Sequence, residues 1–209
     1  MAPFTVLTAR AAPFERENVD TDFIIRIERC TGTPKEALGR YAFEMARYRE
    51  DGTEDPAFVL NQPRYRGAGI LVCGGLFGMG SSREMAVWAL AGLGIRCVIA
   101  PAFGEIFRGN CYQNGLLPVA LPRETVAGLI RQAAAPDATP FTVDLERQTV
   151  NGAFSFEVSA RHKRMLLEGL DEVGLTLALQ DRIAAFQAAD RERRPWVYEC
   201  VSNAHRRGN

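Results

Sequence analysis

One stretch of the chain, from Gly69 to Leu90, constrains the fold more than any other part of the sequence. It opens with the apolar run Ile70 to Cys73, which is short enough for a buried strand. The glycines that follow are Gly74, Gly75, Gly78 and Gly80. The stretch closes with Ser81 to Leu90, whose apolar residues can share one helical face. A strand, a glycine loop and a helix N-terminus in this order create a place where an anion can bind, because free N–H groups and the positive end of the helix dipole point outward there.

The loop ends in two hydroxyls and a guanidinium, those of Ser81, Ser82 and Arg83. Common phosphate and nucleophile motifs do not match it, since Gly-Lys-Ser/Thr and G-x-S-x-G are both absent and Arg83 stands where a dinucleotide fingerprint has its third glycine. Arginine suits a carboxylate, to which its fork donates two parallel hydrogen bonds. Two interpretations remain open on the residues alone: a carboxylate site with a serine beside an arginine, or a structural turn in which Ser81 or Ser82 caps the helix.

The charge balance and the apolar runs exclude several classes of partner. Lys plus Arg and Asp plus Glu both number 25, so no basic surplus indicates nucleic-acid binding. No apolar run approaches the ~20 residues that span a membrane. The N-terminus has no basic segment followed by an apolar one, so no export signal is evident. We therefore expect a cytoplasmic protein that contacts neither membrane nor nucleic acid.

The cysteines and histidines do not form a recognisable metal or redox motif. The five cysteines are Cys30, Cys73, Cys97, Cys111 and Cys200, and none of them forms a C-x-x-C pair with another. A disulfide framework, a zinc site or an iron–sulfur site in this chain is therefore not expected. Neither of the two histidines, His162 and His205, lies near a motif, so the sequence does not support a histidine-based acid–base scheme.

The order of elements predicts an α/β fold. Strands at Ile70 to Cys73, Arg96 to Ala100 and Leu116 to Leu121 alternate with helices, which implies right-handed parallel crossovers and a ligand site beyond the carboxyl ends of the strands. Further predicted elements are a first strand at Phe4 to Leu7, a helix that starts at Thr33-Pro34 with the apolar stripe Ala37, Leu38, Tyr41, Ala42 and Met45, a helix at Pro122 to Ala134, and a small antiparallel meander between Phe141 and Val158. We expect one domain over residues 1–200, followed by a polar tail over residues 201–209.

Several motifs together resemble a known family. They are Phe77-Gly-x-Gly-Ser-Ser-Arg-Glu84, Val98 to Phe103, Ile106-Phe-Arg-x-Asn110, Asn114 to Pro118, Asn18 to Asp22 with Ile24-Ile25, and Gly169 to Leu177. In this order, over residues 4–197, they resemble the swivel domain of the aconitase superfamily and, more closely, the small-subunit family of bacterial 3-isopropylmalate dehydratases. The resemblance implies a swivel-type β/β/α domain with a mainly parallel central sheet flanked by helices.

The resemblance also implies an activity and a division of labour between subunits. Family members isomerise 2- and 3-hydroxy acids in leucine biosynthesis by losing and re-adding water, and a [4Fe-4S] cluster on the large subunit acts on the leaving hydroxyl. Ser81 matches the serine that removes the carbon-bound proton, and Ser82 and Arg83 match residues that hold a substrate carboxylate. Gly80 and the turn Asp20, Thr21 and Asp22 are the further substrate-binding candidates. The chain would then be active only with a large iron–sulfur subunit, on a small hydroxy acid.

Two departures from the family pattern leave the substrate open. Met85 stands where the family has histidine. The expected specificity loop follows Ile24 and has an unusual sequence: Ile25, Arg26, Ile27, Glu28, Arg29 and Cys30. An unpaired charge beside an isopropyl pocket is costly, so Arg26 either points outward or meets a more acidic substrate. The alternatives are a related hydro-lyase acting on another hydroxy di- or tricarboxylic acid, and a swivel-domain binding protein without catalysis.

Overall fold

The computed structural model describes residues 1–81 and 83–198. Its strands are β1 Val6–Ala9, β2 Ala11–Phe14, β3 Val19–Asp20, β4 Ile70–Cys73, β5 Leu76–Met79, β6 Cys97–Ala100, β7 Ala102–Phe103, β8 Leu117–Ala120, β9 Phe141–Asp144, β10 Thr149–Val150 and β11 Phe154–Ser155. Its α-helices are α1 Thr21–Ile24, α2 Ile27–Cys30, α3 Glu44–Arg47, α4 Glu84–Gly92, α5 Glu105–Gln113, α6 Arg123–Ala134, α7 Ala160–Glu168, α8 Glu172–Leu177 and α9 Gln180–Arg193. Two 3-10 helices span Lys35–Tyr41 and Val59–Asn61.

The described residues form three sheets. Strands β2, β4, β6 and β8 pair in that order in a parallel sheet, and β3, β5 and β7 form a second parallel sheet. Strands β2, β4 and β6 each lead within a few residues into the corresponding strand of the second sheet. An antiparallel sheet has the order β1, β9, β10, β11. The predicted α/β architecture with a parallel centre and an antiparallel meander is confirmed.

The central sheet is buried on both faces. All four residues of β4 and all four of β6 are buried, as expected for parallel strands covered on two sides. Leu71 and Val98 face a core that includes Val87 and Leu90 of α4. Their neighbours along the strands face a second core, made with α6 and the antiparallel sheet. This two-sided packing holds the carboxyl ends of β4 and β6 in place, and the glycine loop begins there.

The helix predicted to start at Thr33-Pro34 is wrong in type and length. The chain forms a 3-10 helix over Lys35–Tyr41, passes through Phe43 in the left-handed region at φ 57°, and only then enters the single turn of α3. Leu38 and Ala42 of the predicted stripe are buried, but Met45 is 55% exposed. The physical reason is tertiary: Gly39 lies directly against the backbone of Gly92, so the segment follows α4 instead of its own helical period.

The sequence did not predict the short strand β5, because the strand lies among glycines that indicate a loop. Its Phe77 and Gly78 are buried, and Phe77 packs edge-on against Phe107 with 5.5 Å between ring centroids. Backbone pairing to β3 and β7 therefore stabilises a glycine-rich segment that side-chain propensity alone would not predict to be extended.

By its internal contacts the chain divides into two compact units, one over Met1–Asp171 and a second that starts at Glu172. The second contains α8 and α9, and near its end Asp190 accepts hydrogen bonds from Arg194 at 2.7 and 2.8 Å. A single domain over residues 1–200 therefore stays a prediction, and the predicted tail at 201–209 lies outside the described residues. Within residues 1–81 and 83–198, the helices lack the length and apolar character required to span a bilayer.

The contact between Gly39 and Gly92 generates a stability prediction. A Cβ on Gly39 would lie 2.4 Å from the carbonyl carbon of Gly92, and backbone cannot yield as a flexible side chain can. We expect Gly39→Ala to lower the free energy of unfolding by about 1–3 kcal/mol, as overpacking does. The matched control is Gly109→Ala in α5, where a Cβ meets nothing within 4 Å. Urea denaturation should show Gly109→Ala unchanged or stabilised by up to ~1 kcal/mol. Equal midpoints for the two variants would contradict the close contact.

Candidate active site

The residues singled out from two distant parts of the sequence meet at one edge of the second parallel sheet. In that sheet Asp20, at the end of β3, is paired in register with Met79, at the end of β5. The turn that continues from β3 therefore lies beside the loop that continues from β5. This places the predicted substrate-binding turn next to Gly80 and Ser81, sixty residues away in the chain.

Two glycines of the loop are required by its geometry. Gly78 has φ +72°, and a Cβ there would be 2.2 Å from Cγ of Phe107. Gly80 has φ +89°, where its nearest neighbours belong to Asp20 and Thr21. Positive φ at these positions strains any residue with a Cβ, so the loop can make its turn only with glycine. The turn delivers Ser81 to an exposed position immediately before α4.

The predicted turn at Asp20, Thr21 and Asp22 is the start of helix α1. The carboxylate of Asp20 caps that helix by accepting a hydrogen bond of 2.6 Å from the amide of Phe23. The hydroxyl of Thr21 donates to the carbonyl oxygen of Ser81 at 2.9 Å, and Thr21 is only 1% exposed. Asp22 points to Arg83 and its side chain stays half exposed.

Arg83 is the charged residue of the glycine loop, and its side chain is enclosed, with 11% of it exposed. Its guanidinium donates to the carboxylate of Asp22 and, at 3.5 Å, to the carbonyl oxygen of Ile25. The hydrogen bond to Asp22 raises the pKa of Arg83 above its ordinary value, so the group stays cationic at all physiological pH. Arg83 is also the residue that precedes α4, and its side chain makes no capping hydrogen bond.

Arg83, and not Ser81, occupies the cap position of α4. The amides of the first helical turn therefore add their partial positive charge to that of the guanidinium. Ser82 lies outside the described residues. Its role as a substrate-binding residue stays a prediction.

Ion pairs with carboxylates of the same chain hold the arginines of the expected specificity loop. Arg26 donates two hydrogen bonds to Glu28, at 3.0 and 3.2 Å, and Arg29 donates two to Glu44, at 3.0 and 3.1 Å. Ile25 is buried and Ile27 is 58% exposed. The thiol of Cys30 donates to the carbonyl oxygen of Arg26 at 3.5 Å. The two cations of the loop are thus matched by two carboxylates of the same chain.

Glu44 is a residue that the sequence analysis missed. It lies in α3, its side chain is 12% exposed, and it pairs with Arg29 and, at 3.8 Å, with Arg26. Nothing local in the sequence distinguishes this glutamate from its neighbours, because the pairing joins positions 15 residues apart. It fixes the loop that follows α1 to the body of the domain.

Asn114 is a second residue without an assigned role in the sequence motifs. Its side-chain amide donates to Glu84 at 2.7 Å and to the carbonyl oxygen of Asn110 at 2.9 Å. Its side-chain oxygen accepts from Trp88 at 2.8 Å and from Lys35 at 3.3 Å. The network braces the first turn of α4, and so the helix start beside Arg83, against the end of α5.

Three of the five cysteines lie in environments that do not fit an iron–sulfur cluster. Burial raises the pKa of the Cys73, Cys97 and Cys111 thiols, and all three side chains are enclosed in the core. Cluster ligands are thiolates, and these environments favour the neutral thiol. Cys200 is not among the described residues. Across the part of the chain that the structure describes, no three His, Cys, Asp or Glu side chains gather as metal ligands would.

Comparison with known proteins agrees with the swivel-type fold. The family model of the aconitase C-terminal domain matches residues 1–124, and the model of the C-terminal domain of the 3-isopropylmalate dehydratase small subunit matches residues 172–198. The 3-isopropylmalate dehydratase small subunit of Paramagnetospirillum magneticum is 48% identical over 94% of this chain and all of that protein. The corresponding protein of Dinoroseobacter shibae is 50% identical with the same coverage.

A solved structure extends the similarity to the backbone. The crystal structure of a 3-isopropylmalate dehydratase from Methanocaldococcus jannaschii has 26% sequence identity and a TM-score of 0.60, and it covers 87% of this chain and 99% of that chain. The overall fold is therefore similar to that of a protein of distant sequence.

Proposed function

The chain belongs to the family of 3-isopropylmalate dehydratase small subunits, and we propose that it is one subunit of the hydro-lyase that interconverts 2-isopropylmalate and 3-isopropylmalate in leucine biosynthesis. The observation that carries the proposal is the meeting of Ser81, Arg83 and Asp22 at the edge of the second parallel sheet. Ser81 is exposed and stands two positions before an enclosed cation, and this combination is suited to a carboxylic acid that must lose a proton from carbon.

Arg83 is proposed to bind a substrate carboxylate. The guanidinium can donate two parallel hydrogen bonds, and in the free chain Asp22 supplies a carboxylate to it. A substrate carboxylate would compete with Asp22 for the same donors. Because Asp22 is half exposed, its carboxylate can turn to solvent without the cost of burying a charge.

Ser81 is proposed to take the proton from the substrate carbon. As the C–H bond breaks, the proton passes to the Ser81 oxygen, and in the reverse direction it returns to carbon. A serine hydroxyl is a weak base in water, but the charge of Arg83 and the N-terminus of α4 favour its anionic form. This chain therefore contributes the proton transfer and the binding of a carboxylate.

The other half of the chemistry is assigned to a partner. The family resemblance implies a large subunit with a [4Fe-4S] cluster, which when bound would supply a Lewis acid for the leaving hydroxyl. The buried thiols of Cys73 and Cys111 favour the neutral form, which supports the proposal that the large subunit holds the cluster. The cytoplasm as the site of action is part of the same proposal.

The charge balance of the loop at Ile25 to Cys30 favours isopropylmalate over a tricarboxylic acid. Arg26 and Arg29 are already paired, with Glu28 and Glu44 respectively. An additional substrate carboxylate would meet no uncompensated cation among them and would face two carboxylates. An isopropyl group makes no such demand, since it needs only apolar contact.

Reconstitution tests the function directly. We expect the purified chain alone to be colourless and to show no dehydratase turnover, because it contributes only part of the chemistry. Combined with the large iron–sulfur subunit of the same cell, it should convert 2-isopropylmalate to 3-isopropylmalate. Catalytic efficiency on isopropylmalate should exceed that on citrate by at least ~10²-fold, since Arg26 and Arg29 are already paired and leave no cation of this loop for a third carboxylate.

Three results would count against the proposal. Turnover by the chain alone would refute the division between subunits. Higher efficiency on citrate would favour the related hydro-lyase for tricarboxylic acids. A chain that binds hydroxy acids but never supports turnover with an active large subunit would favour the binding protein without catalysis.

The role of Arg83 is tested by Arg83→Lys in the reconstituted enzyme. Lysine keeps the charge but loses the two-pronged geometry, so kcat/KM should fall by about 10²- to 10³-fold, as on loss of a transition-state donor. The control is Arg164→Lys in α7, where the Nε–H of another arginine is shared between the two carboxylate oxygens of Glu168, each at 3.0 Å. The control should retain wild-type efficiency. Equal efficiencies for the two variants would show that Arg83 does not hold the substrate.

A further inference from the structure

We propose that Thr21 is a positioning residue, whose buried hydroxyl fixes the backbone that carries Ser81, and that it does not touch the substrate. The inference rests on the proposed function, in which Ser81 takes the proton. It changes the role expected for Thr21 from the sequence, where the residue was a candidate for substrate binding.

The first support is the burial and direction of the Thr21 side chain. The residue is 1% exposed, so its hydroxyl cannot be reached by a ligand in solution. The hydroxyl donates to the carbonyl oxygen of Ser81 at 2.9 Å, across 60 positions of sequence. A hydroxyl that donates its single proton to the protein has no second proton to offer a substrate.

The second support is the set of hydrogen bonds that hold the donor's own backbone. Asp20 caps helix α1 through the amide of Phe23 at 2.6 Å, and the amide of Ile25 donates to the carbonyl oxygen of Thr21 at 2.9 Å. Strand β3 precedes this turn and pairs with β5. Hydrogen bonds therefore fix the backbone before and after Thr21, and its hydroxyl has a fixed position from which it binds the glycine loop.

The third support is the freedom of the loop that Thr21 contacts. Gly80 has φ +89°. Because glycine has no Cβ, it can also adopt other backbone angles at little cost, and φ +89° is not fixed by the residue itself. A Cβ added at Gly80 would lie 3.7 Å from Cβ of Asp20 and 3.9 Å from the Thr21 hydroxyl oxygen, so the two segments are close neighbours. The hydrogen bond to the Ser81 carbonyl selects one orientation of the peptide group on the C-terminal side of Ser81, one residue after this glycine.

It follows that different hydrogen bonds hold Ser81 and Arg83 in position. Arg83 is held by Asp22 and by the carbonyl oxygen of Ile25, neither of which depends on the Thr21 hydroxyl. Loss of that hydroxyl should leave carboxylate binding in place and let the Ser81 oxygen drift from the substrate carbon. A misplacement of ~1 Å can cost about 10²-fold in rate.

The test uses isosteric variants in the reconstituted enzyme. Thr21→Val keeps the shape and removes the donor, so kcat should fall by about 10- to 10²-fold while KM changes by less than ~3-fold. Thr21→Ser restores the donor and should recover most of kcat. The matched control is Thr8→Val in β1, which removes a hydroxyl hydrogen bond of 2.9 Å to Thr142 on the surface. It should leave both constants unchanged.

A second measurement on the isolated chain keeps the inference separate from the proposed function. Amide hydrogen exchange over residues 79–84 should be faster in Thr21→Val than in wild type and should return to the wild-type rate in Thr21→Ser. Should the valine variant fail to fold, Thr21→Ala carries the same test. If the reconstituted wild-type enzyme shows no turnover, the proposed function is refuted. The hydrogen-exchange result then still tests the positioning role of Thr21. Unchanged exchange, unchanged kcat, or a loss confined to KM would overturn the positioning role.

Discussion

The site depends on the way in which the strands of the central parallel sheet continue into the second parallel sheet. Strands β2, β4 and β6 each lead into a short strand of the second sheet, so β3 and β5 end side by side. The ends of neighbouring parallel strands share one sheet edge, where ligands of open α/β folds bind. The turn that contains Asp22 and the loop that contains Arg83 meet for this reason, although they are 61 positions apart in sequence.

The electrostatics of this edge are arranged in two separate groups. Arg83 is paired with the half-exposed carboxylate of Asp22, whereas Glu44, which pairs with the loop expected to set specificity, is 12% exposed and fixed by arginines. Pairs that involve enclosed charges depend strongly on their partners, while exposed partners contribute little and exchange readily with solvent. Under the proposed function, the ion pair with the half-exposed partner serves substrate binding and the ion pairs of the enclosed Glu44 maintain the shape of the loop.

Much of the fold follows from the sequence, and the exceptions have physical causes. Strand β4 could be predicted because an apolar run between turns leaves few alternatives, and the motif at Ser81 to Arg83 led to the candidate site that we propose. The 3-10 helix at Lys35–Tyr41 could not be predicted, since the contact of Gly39 with Gly92 overrides the local helical pattern. The bond from Thr21 to Ser81 and the pairing of Arg29 with Glu44 join distant positions, and no local pattern reports them.

The central claim is that Ser81 accepts the carbon-bound proton on a loop that this chain alone shapes. The most direct measurement is the turnover of isopropylmalate by the reconstituted Ser81→Ala enzyme, together with the dissociation constant of the substrate. We predict a loss of about 10²- to 10⁴-fold in kcat, the usual contribution of a positioned base, with substrate affinity within ~3-fold of wild type. The variant Ser155→Ala, on the exposed strand β11, should behave as wild type. A Ser81→Ala enzyme that retains wild-type turnover would contradict the claim.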